Sequence, residues 1–128
     1  MIEVLIALFL VSVGILVLIT LQPAAIRLSG KSDYLGRASG ILAAQLQAME
    51  AKIINPNNTL PAGGSSTVYA SGQGAAKQGD VEFTVNTTVT NLAANPPTYR
   101  VNVHVTWPGN ATGVRESMIV VQQQSFKQ

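Results

Sequence analysis

The sequence predicts an α+β fold: a long N-terminal helix packed on a small antiparallel β-sheet. Three observations predict it. No residue from Val4 to Leu21 is charged, and the run is rich in Leu, Ile and Val. Leu35, Leu42, Leu46, Met49 and Ile53 then recur at the spacing of one helical stripe. From Val81 to Gln123, apolar and polar residues alternate in three runs.

As a helix rising about 1.5 Å per residue, the uncharged run is roughly 27 Å long, close to the hydrocarbon core of a bilayer. Apolar residues surround it on every side, and the rest of the chain is too small to bury it. A secretory signal would carry a basic leading region and a small-residue cleavage site. Here Glu3 precedes the run, and the first basic residue is Arg27. The stretch is therefore expected to be a retained membrane helix, dividing the chain into 1–26 and a globular part at 27–128.

Glu3 is the one charge at the head of this run. A carboxylate within a membrane span costs about 2.5–3.5 kcal/mol at mid-helix on insertion scales, and less near an interface. It is either an interfacial acid favoured by the helix N-terminus or a group with a partner.

The segment Ile2-Glu3-Val4-Leu5-Ile6-Ala7-Leu8, continuing to Gly14, resembles the N-terminus of type IV pilins and pseudopilins. Met1 matches the third mature position, Ile2 the fourth and Glu3 the fifth. The resemblance is specific over roughly the first 22 residues. It implies a filament subunit in which Glu3 neutralises the N-terminal amine of a neighbouring copy. The basic leader, the Gly before the cleavage point and the Phe-Thr pair of the family are missing here, so a leader and two mature residues are expected to precede Met1. Processing by a prepilin peptidase, N-methylation and an assembly platform are implied by the resemblance and fall on no residue of this chain.

Pro23 lacks an amide hydrogen and clashes with the preceding turn, so a kink or local unwinding is expected over Ile19–Pro23. Ser29, Gly30, Gly36 and Gly40 weaken the turns that follow. From Tyr34 the amphipathic pattern recovers, with Gln45, Gln47, Glu50 and Lys52 mostly off the apolar stripe. Asn55-Pro56-Asn57-Asn58 ends the helix at about 54. Residues 55–80 read as a long loop rich in Gly, Ser, Ala and Thr, in which Val68 and Tyr69 are suited to a short strand. The antiparallel sheet is expected over 81–123. Val81, Phe83, Val85, Thr87 and Val89 alternate with polar residues, Asn95-Pro96-Pro97 breaks the chain, and Val101, Val103, Val105 and Trp107 alternate with Asn102, His104 and Thr106. A turn at 108–113 leads to a third strand from Arg115 to Gln123. Short connections favour an antiparallel meander. Its face bearing Phe83, Val103, Val105 and Trp107 would cover the helix stripe. The tail from Gln122 to Gln128 is polar and expected to fray.

The chain has 128 residues, a formal charge of +2 and no cysteine. It can form no disulfide, and its weak basic excess forms no clustered patch. Gly30-Lys31-Ser32 matches the end of a phosphate-binding loop, but Ala25 stands where the first glycine would be and a helix precedes it. Gly72-Gln73-Gly74 lacks a third glycine. His104 is the single histidine, placed on a polar strand face without the ligands of a zinc site. Asp80 and Glu82 lie two apart, without the further oxygen ligands of a calcium site. No Gly-x-Ser-x-Gly elbow occurs. No catalytic residue, metal ligand or cofactor site is therefore assigned, and an enzyme is not expected. Three Asn-x-Thr sequons, at Asn57, Asn86 and Asn110, arise readily in such composition.

The resemblance points most closely to minor pilins of the PilV kind, through Ser12-Val13-Gly14 and Val105-Thr106-Trp107-Pro108. It implies anchoring in the bacterial inner membrane, then passage into a pilus at the cell surface with other pilin subunits as partners. Ala7, Ser12 and Gly14, as small residues, are expected to let helices approach closely. The alternatives are a minor pseudopilin of a type II secretion system, or a tip subunit contacting DNA or a surface through residues 59–80. Nucleic acid has no motif here to support it.

Overall fold

The computed structural model describes residues 1–72 and 75–123. Gln73 and Gly74 of the glycine pair, and the tail from 124 onward, lie outside the described residues. One α-helix, α1 (Ile2–Ile54), is followed by strands β1 (Gly64–Tyr69), β2 (Glu82–Ala94), β3 (Pro97–Trp107) and β4 (Asn110–Val121). The strands form one sheet in the order β1-β2-β3-β4, and every neighbouring pair is antiparallel. This is the α+β arrangement expected from the sequence, and it agrees with a pilin-like fold. The chain divides into two compact units, Met1–Tyr34 and Leu35–Gln128, a later boundary than the 26/27 division expected from the end of the apolar run.

In the first unit the helix runs through Pro23 without interruption. The local unwinding expected over Ile19–Pro23 is absent. A proline removes one amide donor from the helical ladder, and the remaining bonds on either side hold the turn.

The second unit holds the core. Ala38, Leu42, Met49 and Ile53 are buried along α1, and Leu46 is half-buried. Leu35, expected on this stripe, is exposed, and Ala38 occupies the first buried position instead. Gln45, expected off the stripe, is half-buried and donates from Nε2 to the Thr87 hydroxyl at 3.2 Å. Thr87 is the buried polar residue of the core, so this bond satisfies a group that would otherwise be costly to bury. From the sheet come Phe83, Val85, Val101, Val103, Val105 and Trp107, all buried. The Phe83 and Trp107 rings lie 6.1 Å apart at 52°, within the range of favourable tilted aromatic pairs. Trp107 thus continues the inward face, as the alternation of β3 requires.

The helix end is tied down on two sides. Asn58 Nδ2 donates to the Lys52 carbonyl at 3.4 Å, and the Gln123 amide donates to the Ile54 carbonyl at 3.0 Å. Both carbonyls belong to the last turn, where no helical partner remains.

The expected loop at 55–80 contains a strand. β1 pairs residue by residue with β2, from Gly64 opposite Thr87 to Tyr69 opposite Glu82. The sheet therefore has four strands. Gly63, at its entry, passes so close to β2 that a Cβ would lie 2.6 Å from the Thr87 carbonyl oxygen. Pro97, expected in the chain break, opens β3, and the break narrows to Asn95 and Pro96, which are joined by a cis peptide bond. The turn expected at 108–113 narrows to Pro108-Gly109, with Gly109 at φ 85°. Residues 110–114 already belong to β4, which bulges against β3 between the Trp107–Asn110 and Val105–Val114 pairs. Gly113 sits in this bulge at φ 56°, and a Cβ there would collide with the Val105 carbonyl oxygen. Asn110 Oδ1 accepts the Gly113 amide at 3.1 Å and holds the bulge closed.

Candidate functional site

Two surfaces carry distinctive chemistry. The first is the N-terminal stretch of α1. Every large apolar side chain from Ile2 to Leu21 is at least 42% exposed. The helix is long and apolar enough to cross a membrane, and none of that window is buried. Glu3 lies in its first turn and is exposed, with no hydrogen-bond or ion-pair partner among the described residues. The Ser12 hydroxyl donates to the Leu8 carbonyl at 2.7 Å, and Thr20 does the same to Val17 at 2.8 Å. Both hydroxyl groups of this stretch are thus satisfied within the helix, as an apolar medium demands.

Ala7 and Gly14 fall on one face of the unbroken helix. Ser12 lies about 140° round from Ala7, at about 100° per residue. The three small residues therefore do not share one face of the helix. A Cβ added at Gly14 would meet nothing, so the glycine is not required by the subunit's own packing.

The second surface is the outer face of the sheet, opposite the core. Strand register aligns Ser65, Asn86, His104 and Arg115 in one row across all four strands, and Thr88, Asn102 and Ser117 in the next. A groove of about 580 Å³ opens over these rows. The His104 ring bonds through Nε2 to the Thr112 carbonyl at 3.0 Å. A carbonyl only accepts, so Nε2 carries the hydrogen and Nδ1 is left as an acceptor on the neutral ring. The alternation of β3 puts Asn102 and His104 on one face in the sequence itself. Arg115 joins them only through the β4 bulge, which no sequence periodicity reveals.

Asp80, weighed with Glu82 as a carboxylate pair, has another role. Its Oδ2 accepts the Ser71 hydroxyl at 2.7 Å and the Lys77 amide at 3.0 Å. Glu82 accepts instead from Thr67 at 3.4 Å. Arg37 donates to the Ala70 carbonyl at 3.2 Å, fastening the same β1–β2 connection to α1. Among the described residues no group of three or more His, Cys, Asp or Glu side chains is placed to hold a metal ion.

The Ser71 hydroxyl first, and the Lys77 amide second, hold the Asp80 carboxyl below the usual aspartate range. Because the folded value is the lower one, the loop gains stability above the unfolded value and loses it as pH falls through the folded value. In an NMR titration Asp80 should titrate below an ordinary aspartate, and Ser71→Ala should raise its midpoint. An unshifted midpoint in both proteins would show that the clamp is not formed.

Compared with known proteins, the chain matches no protein-family model, no curated protein and no solved structure.

Proposed function

We propose that this chain is a structural subunit of a type IV pilus, of the minor-pilin kind. Residues 2–21 anchor it in the bacterial inner membrane before assembly, and it helps to initiate or build the filament. The observation that carries this reading is the exposed apolar helix headed by a single unpartnered acid, joined in sequence to a unit with its own buried core. Such a surface is stable in lipid, or against other helices of the same kind, and unstable in water.

Assembly on this reading exchanges one apolar surrounding for another. Lipid contacts are replaced by contacts with neighbouring helices, so the hydrophobic effect contributes little to the exchange itself. Close packing at small residues and the matching of Glu3 to a neighbour's amine then decide the axial register. Ala7 and Gly14 on one face, and Ser12 on another, suit a helix that touches more than one neighbour.

Cell fractionation tests the proposal. In a host whose filament assembly is blocked, the chain should sediment with the inner membrane and need detergent for release. In the competent host, it should also appear at low abundance in sheared filaments. Recovery as a water-soluble monomer without detergent would overturn the reading.

A further inference from the structure

We infer that the outer face of the sheet is a binding site for a carboxylate-bearing polysaccharide, such as a uronic-acid polymer, gripped in the groove over Asn86, Thr88, Asn102, His104, Arg115 and Ser117. The inference stands apart from filament assembly, since all these residues belong to the Leu35–Gln128 unit.

In the two residue rows beneath the groove, Arg115 is the charged side chain. Arg115 lines the groove, and Arg100 lies on the same face in the adjoining row, opposite Thr90 and Ile119. Neither guanidinium has a hydrogen-bond or ion-pair partner among the described residues. Glu116 also lines the groove, but at a strand position whose alternation turns its side chain toward the other face, opposite Val103. Glu82 shares the outer face but lies two rows from Asn86, at the end of the ladder beside Tyr69. A guanidinium with a free fork of N–H donors matches a carboxylate in a bidentate pair.

The rest of the lining selects the class of anion. Asn86 and Asn102 each offer a carbonyl and an NH₂ group, and Thr88 and Ser117 each offer a hydroxyl that donates and accepts. Sugar hydroxyls need partners of both kinds at close spacing, and cross-strand neighbours supply them at about 4.5–5.5 Å. A groove of this volume lies within the range of about 300–1,000 Å³ typical of small-ligand sites, enough for one or two sugar units with the polymer continuing at either end.

Other ligand classes fit less well. Unpaired nucleic acid is held by bases stacked on aromatic side chains, and no aromatic residue lines the groove. Duplex binding depends on many cationic contacts to phosphate, and two arginines are few. A protein partner would need a buried aromatic or apolar anchor at the centre, where this face carries amides and hydroxyls.

The test is titration calorimetry on the full chain in detergent micelles, with a short oligogalacturonate as probe and a neutral maltodextrin and a DNA duplex as comparators. Oligogalacturonate should bind, and both comparators should bind more weakly. Arg115→Gln should weaken uronate binding about tenfold or more, the scale of one lost charge-assisted hydrogen-bond pair. Asn102→Ala should also weaken it. Arg115→Lys, which keeps the charge but not the fork, should fall between Arg115→Gln and the unaltered protein. Lys52→Gln removes the same charge away from the groove and should leave binding unchanged. Unaltered thermal midpoints establish that the variants are folded. No uronate binding, equal binding of DNA or maltodextrin, or an equal loss with Lys52→Gln would overturn the assignment.

Discussion

On the proposed role as a pilus subunit, replacing Glu3 by Leu should leave the protein in the membrane and remove it from filaments. The two halves of this outcome follow from opposite electrostatic costs. In the bilayer, a carboxylate at the end of the apolar run is a burden, so Leu at this position makes insertion no worse. In a filament of packed helices, the resemblance to pilins assigns that carboxylate to the N-terminal amine of a neighbour. Deleting one member of a buried ion pair leaves the other uncompensated, at a cost of about 3–5 kcal/mol. Incorporation should then fall by roughly a hundredfold or more. Glu3→Gln should behave like Leu, since a neutral amide cannot balance the amine. Folding of the Leu35–Gln128 unit should be unaffected, because Glu3 belongs to the other unit. Immunoblots of sheared filaments against membrane fractions make the measurement. Equal incorporation of all three proteins would remove the electrostatic pairing from the proposed mechanism.

The parts of the fold that were legible are those that hydrophobic periodicity encodes. Val101, Val103, Val105 and Trp107 alternate without a break, and all four are buried. Leu42, Met49 and Ile53 recur at helical spacing and are buried as well. Of β1 only Val68 and Tyr69 were legible as a short strand, because Gly64, Ser65, Ser66 and Thr67 carry no apolar alternation and remain exposed; backbone pairing with β2 extends the strand over them, and the sequence pattern does not record that. Ala38 escaped because its value lies in what it lacks: a small side chain fits where Leu35 is turned outward. Pro23 does not unwind the helix, since a long helix tolerates the loss of one hydrogen bond. The candidate surfaces divide in the same way. Glu3 and the exposed apolar stretch are contiguous in sequence and visible there. The row of Asn86, His104 and Arg115 exists only once three strands are paired, and the two-residue excess of β4 over β3 at its bulge sets which residue completes it.

Phe9 and Phe83 are the two phenylalanines among the described residues, and the same substitution should affect them in opposite ways. Phe83 is fully buried in β2 against Trp107, whereas Phe9 is 69% exposed. Phe83→Ala removes a ring from a core that cannot collapse easily, because the sheet backbone on one side and α1 on the other fix its walls. The loss should be about 3–5 kcal/mol from transfer and cavity terms together. A small domain has only about 5–15 kcal/mol in total, and for this size each kcal/mol shifts the midpoint by about 4–8 °C. A fall in thermal midpoint of about 15 °C or more is expected. Trp107, the single tryptophan, should report both the transition and a red-shifted emission in the native state, since the lost ring is its neighbour. Phe9→Ala should leave that transition in place, because no core residue of the Leu35–Gln128 unit depends on it, and should instead weaken retention in the membrane and in filaments. A stable Phe83→Ala protein with unaltered emission would contradict the packing described for the core. A Phe9→Ala protein that unfolds early would mean that the apolar stretch stabilises the globular unit rather than serving lipid and neighbouring subunits.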